Sequence, residues 1–86
     1  DGSTLRSAAD SLPNAMGSEV ENIPQALVAT GLTPSLGAAR RAIAEGGVYL
    51  NNQKIESEEL DKSQLLPGNL MIIRRGKKNL AALIFD

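Results

Sequence analysis

Eighty-six residues, 42 % of them hydrophobic, with nine Lys/Arg against ten Asp/Glu and a net charge of −1, give one small domain that buries roughly 60–65 % of its unfolded surface. No His and no Cys are present, and a single Tyr and a single Phe leave an aliphatic core. This excludes His or Cys nucleophiles, zinc sites built from those ligands and stapling disulfides, and fits a reducing compartment. No apolar run approaches ~18 residues and no apolar leader follows basic residues, so neither a membrane span nor a signal peptide is expected.

A net charge of −1 argues, taken alone, against a nucleic-acid partner, but its distribution is uneven. Residues 1–31 hold Arg6 against Asp1, Asp10, Glu19 and Glu21, a net of −3. Residues 32–86 hold eight Lys/Arg against six acids, a net of +2, with four of those acids between Glu56 and Asp61. Local placement decides the field, so a basic surface is compatible with the acidic total.

In chain order, Asp1-Gly2 begins without an initiator Met, as expected of a piece of a longer protein. Ser3 or Thr4 can cap a short helix in which Leu5, Ala8, Ala9 and Leu12 share one face. Pro13-Asn14 stops it, and 14–21 reads as a linker. Residues 1–21 are therefore expected to be a helix and linker from the parent chain, with the compact domain over 22–86. Asn22-Ile23-Pro24-Gln25 has the chemistry of a helix start. Ile23, Leu27 and Thr30 fall on one side, and Gly31-Leu32 supplies the stop. Thr33-Pro34-Ser35 turns the chain into a second helix, capped by Ser35. Leu36, Ala39 and Ile43 are expected to face inward there, Arg40 at the edge of that face and Arg41 in solvent.

Gly46-Gly47 ends this helix. Val48 and Leu50 share one face of a following strand and Tyr49 takes the other. Asn51-Asn52 fits a two-residue hairpin turn before Gln53-Lys54-Ile55. Residues 56–64 read as an acidic connecting loop. Residues 70–73, LMII, form a continuous apolar run expected of a strand covered on both sides. RRGKKN (74–79) is a basic turn, and 80–85 pairs back as a second hairpin. The fold class is α+β: two or three short N-terminal helices, then a small mixed or antiparallel sheet of four to five strands.

Phosphate recognition needs fixed cations and backbone donors rather than a catalytic group. Arg40 and Arg41 suit it through the planar guanidinium fork, although an ordinary solvated helix with an Arg41–Glu45 pair uses the same residues. The RRGKKN turn holds four cations in five positions, and a solvated hairpin tip that deters edge-to-edge pairing is the alternative. Tyr49 is able to stack on a base or simply to pack. The acids of 56–61 lack the spaced ligands and central Gly of a calcium loop. Gly46-Gly47 follows no strand and is not a phosphate-cradling fingerprint. Ser35 has no base to activate it, so no active site is expected.

Ser35, Ala39-Arg40-Arg41, Ile43, Gly46-Gly47-Val48, Asn51 and Lys54-Ile55 resemble the S-four RNA-binding domain with its alpha-L motif, and the resemblance covers 23–55. The continuation over 70–79 resembles more particularly the C-terminal domains of bacterial tyrosyl-tRNA synthetases. The sequence departs from the usual pattern at Leu36-Gly37-Ala38, where members often have a basic residue, Ser and Glu. The resemblance implies a cytoplasmic parent enzyme that joins tyrosine to its tRNA using ATP on a separate catalytic domain, acts as a homodimer and has no membrane contact. This part would be non-catalytic, holding no cofactor and no metal and gripping tRNA-Tyr. Carried over by position, the RNA-binding set is Ser35, Arg40, Arg41, Asn51, Lys54, Arg74, Arg75, Lys77 and Lys78. Two alternatives stand beside it: the RNA-targeting domain of another RNA enzyme such as a pseudouridine synthase, and a protein-docking module without RNA affinity.

Overall fold

A computed structural model describes residues 11–63 and 65–85. Five strands form one sheet in the order β1-β5-β4-β2-β3: β1 (Asn14–Met16), β2 (Val48–Leu50), β3 (Gln53–Lys54), β4 (Leu70–Arg75) and β5 (Asn79–Ile84). Helices α1 (Ile23–Ala29) and α2 (Leu36–Ala44) cover one face. The strands β2 to β5 pair antiparallel, while β1 runs parallel to β5 with Asn14 opposite Ala82. The sheet is therefore mixed, and the domain is α+β. Among the described residues no helix is long and apolar enough to cross a membrane.

Both helices start where side-chain chemistry dictates. The Asn22 Oδ1 accepts from the Gln25 N–H at 2.9 Å, Pro24 occupies the first turn, and the Gln25 side-chain Oε1 accepts in return from the Glu21 N–H at 2.8 Å. Each bond satisfies an amide that the helix leaves without an internal partner. Gly31, at φ +79°, closes α1. Thr30, buried, donates its hydroxyl back to the Ala26 and Leu27 carbonyls, as a buried hydroxyl must.

The core lies between helices and sheet. Ile23, Ala26 and Leu27 of α1 and Ala39, Ala42 and Ile43 of α2 meet Val48, Met71, Ile73, Ala81 and Leu83. Leu36, expected to face inward, is 41 % exposed. It lies in the first turn of α2, and the buried face of the helix is supplied by Ala39, Ala42 and Ile43. On β4 the alternation sends Met71 and Ile73 to the helices and Leu70 and Ile72 to the rear. There Leu70 and Ala82 are sealed by Ile72 and by Leu66 from the preceding loop. Both sides of the apolar run are covered, as expected, but the rear cover is one loop deep.

The expected first helix falls largely outside the described residues, but 14–21 differs from the linker reading. Residues 14–16 extend the sheet, and Val20 is 3 % exposed within the core. A three-residue edge strand alternating with polar residues carries too little pattern to be read locally; its partner β5, some seventy residues on, defines it. Gly17 is buried where a Cβ would overlap the Phe85 ring. Gly17→Ala is therefore expected to cost about 1–3 kcal/mol by overpacking, lowering the thermal midpoint by roughly 4–24 °C. A melt indistinguishable from the parent domain would place 14–20 outside the cooperative unit. The acidic loop is likewise tied in: Leu60 is buried, and the Glu58 carbonyl accepts from the Ile23 N–H at 2.9 Å.

Candidate nucleic-acid interface

The C-terminal end of α2 organises the cations. Ser35 Oγ accepts from the Ala38 N–H at 3.1 Å and starts the helix. At the other end the Gly46 N–H bonds the Ile43 carbonyl and the Gly47 N–H the Ala42 carbonyl, each at 3.0 Å, with Gly46 at φ +74°. This paired closure needs a left-handed residue, which is why glycine stands there. The Gly47 carbonyl in turn accepts from the Gly76 N–H at 2.7 Å. The tip of the β4–β5 hairpin is thus fastened to the end of α2.

That fastening determines which cations meet. Arg41 lies exposed in the last turn of α2. Lys54 on β3 lies against Gly46, where a Cβ would approach its Cε to 2.7 Å. Lys77 and Lys78 are exposed at the fastened tip. Arg75 lines a hollow with Ala42, Glu45, Gly47, Gly76 and Asn79, and its Nη1 donates to the Leu32 carbonyl at 3.2 Å. Arg41 and Lys54 therefore lie at the end of α2, where the aligned peptide dipoles favour positive charge, and Arg75 and Lys77 stand on the hairpin fastened to it, whereas Lys78 lines a hollow with Leu12, Pro13, Thr30, Gly31 and Leu32. Glu45 and Glu56 stand among them, lining hollows beside Gly46 and Gly47.

The other expected residues are placed elsewhere. Arg40 sits ~100° round α2 from Arg41, its Nε 3.4 Å from Glu58 Oε1, with both side chains about half exposed at 54 % and 48 %. Such a pair contributes about 0–1 kcal/mol. Arg74 is on the rear of the sheet, stacked 4.2 Å over the Tyr49 ring. Adjacent residues on a strand face opposite sides, so Arg74 and Arg75 cannot join one patch. Asn51 shapes the hairpin turn at φ +50° with Asn52 at +68°. Its Oδ1 accepts from the Ile72 N–H and its own N–H bonds the Ile72 carbonyl, locking the turn to β4.

These features define a small α+β domain that presents cations from a helix end and two hairpins. The family described as "Tyrosine--tRNA ligase SYY-like C-terminal domain" matches residues 4–83. A tyrosine–tRNA ligase of Leifsonia xyli subsp. xyli is 45 % identical over 87 residues, covering 100 % of this chain and 20 % of the relative. One from Streptomyces griseus subsp. griseus is 44 % identical over 96 % of this chain and 20 % of its own length. A Mycobacterium sp. (strain KMS) ligase is 54 % identical over 71 % of this chain and 15 % of its own length. The chain belongs to the tyrosine–tRNA ligase C-terminal domain family, and it spans about a fifth of the length of the first two of these relatives. This family, rather than that of a pseudouridine synthase, is the one the sequence resemblance pointed to.

Proposed function

We propose that this domain grips tRNA-Tyr for a tyrosine–tRNA ligase whose ATP-dependent aminoacylation resides in a separate catalytic domain. Arg41 and Lys54 at the end of α2, with Lys77 and Lys78 exposed on the hairpin tip fastened to it, carry this reading. The backbone junction fixes the elements that carry these cations, so their main chain needs little ordering when a phosphate backbone binds. The domain adds affinity and orientation, and its parent is read as a cytoplasmic homodimer. Ser35 and Asn51 serve in this reading by holding the helix and hairpin, and Arg40 and Arg74 as outlying cations.

Salt dependence tests the reading. With ~4–5 phosphates neutralised, log affinity for tRNA-Tyr falls against log salt with a slope near −4. Arg41→Ala is expected to reduce that slope by about one unit. Arg40→Ala is expected to change it by clearly less, because Glu58 already offsets the Arg40 charge. A shallow slope, or equal effects of the two substitutions, argues for a protein-docking module or for a different orientation of α2.

A further inference from the structure

A pocket of about 250 Å³ opens on the rear of the sheet, the face turned from the helices, lined by Asn51, Asn52, Leu66, Ile72, Arg74 and Leu80. We infer that this pocket receives one unpaired nucleobase of the bound RNA; the inference rests on the tRNA reading above and deepens it. Three observations select a base over other parts of a nucleic acid. The walls contributed by Leu66, Ile72 and Leu80 are apolar, and Leu80 remains 39 % exposed. A phosphate placed against these three apolar walls would lose hydration on that side with nothing to replace it, whereas the face of a base is itself apolar.

The second observation is Arg74. Its guanidinium lies 4.2 Å above the Tyr49 ring, and its Nε is buried without a hydrogen-bond partner. Arg40 is held by a carboxylate and Arg75 by a carbonyl; Arg74 is held by stacking. Its plane is thereby fixed beside an apolar slot. Unpaired bases are bound by this combination of a guanidinium or aromatic plane and donors along the base edge. Base carbonyls and ring nitrogens are able to accept from the remaining N–H groups of the Arg74 guanidinium, and Asn52 adds an amide at the rim.

The third is position. Leu80 pairs with Arg74 across the β4–β5 hairpin, two residues from Lys78 at its tip. At ~3.3 Å per residue, the slot lies about 7 Å along the strand from that cation. One RNA strand can therefore meet the tip lysine with its backbone and lay a neighbouring base in the slot. Double-stranded RNA, with its bases stacked and paired, cannot fill it.

The test uses the 86-residue chain, a hairpin RNA with an unpaired loop, and a blunt duplex RNA of equal phosphate count. Expected are binding of the hairpin about tenfold tighter than the duplex, and NMR shifts of the Leu66, Ile72 and Leu80 methyls with the hairpin only. Leu80→Gln, a change at a partly exposed position, and Arg74→Gln should both abolish the hairpin preference. Duplex affinity should hold for Leu80→Gln and fall about equally for both RNAs, beyond the lost preference, for Arg74→Gln. Equal, salt-dependent binding of both RNAs with silent rear-face methyls overturns the base pocket alone. Absence of salt-dependent binding to either RNA overturns the tRNA reading and the pocket with it. Methyls that respond only when a catalytic domain is supplied assign the slot to a protein contact, which also overturns the proposal.

Discussion

Replacing both tip lysines, Lys77→Ala with Lys78→Ala, is expected to weaken tRNA-Tyr binding about 30-fold at ~0.15 M salt. Each phosphate contact contributes roughly 0.9 to the salt slope, so two lost contacts reduce it by ~1.8. At that salt concentration the same loss is worth about 1.5 logarithmic units. The effect should be clean because both side chains are exposed. The junction that fixes the tip, Gly76 N–H to the Gly47 carbonyl, is backbone only and survives the substitution. Titrations of tRNA-Tyr at several salt concentrations read both quantities, with the thermal midpoint as a control for folding. Lost affinity with an unchanged slope would mean that the lysines act through something other than counterion release. Unchanged affinity would remove the tip from the interface.

The second large effect concerns β5. Leu83→Ala is expected to destabilise the domain by about 3 kcal/mol, through lost transfer free energy plus the cavity left behind. Leu80→Ala, three residues earlier in the same strand, should cost less than about 0.5 kcal/mol. Leu83 is fully buried against the helices opposite Met71, whereas Leu80 faces the rear and is 39 % exposed. For a domain this small, ~3 kcal/mol lowers the thermal midpoint by roughly 12–24 °C and removes a large part of the total stability. Denaturant melts of the two variants compare them directly, and equal losses would show that the strand's two faces are not distinguished as described.

That pair also shows where local pattern stops being informative. Residues 80–85 read LAALIF, a nearly unbroken apolar run, so no alternation marks the buried side. Pairing with β4 supplies the answer, because Ile73 and Met71 fix which positions of β5 face the helices. Leu36 teaches the same lesson on α2: helical periodicity places it beside Ala39, but only the tertiary packing leaves it 41 % exposed outside the core. The strand at 14–16 was illegible for a different reason, since a short edge strand is defined by its distant partner. By contrast the helix starts at Asn22 and Ser35 and the turn at Asn51-Asn52 were readable. So was the stop at Gly46-Gly47, because caps and left-handed positions are set by the chemistry of two to four adjacent residues.

The candidate interface divides along the same line. Its cation-bearing residues were legible as types and as local clusters. The separation of Arg74 from Arg75 follows from strand geometry once the strand is granted. What brings the hairpin tip carrying Lys77 and Lys78 to the end of α2 is a hydrogen bond between Gly47 and Gly76, 29 residues apart in sequence, and what brings Lys54 there is its contact with Gly46. What sets Arg40 apart is a carboxylate eighteen residues on. The amino-acid sequence by itself determined the α+β class, the caps, the turns and the family, because these depend on short-range chemistry and pattern. The tertiary structure alone decided which charges share a surface and which are paired, because electrostatic fields add over distances in space and not along the chain.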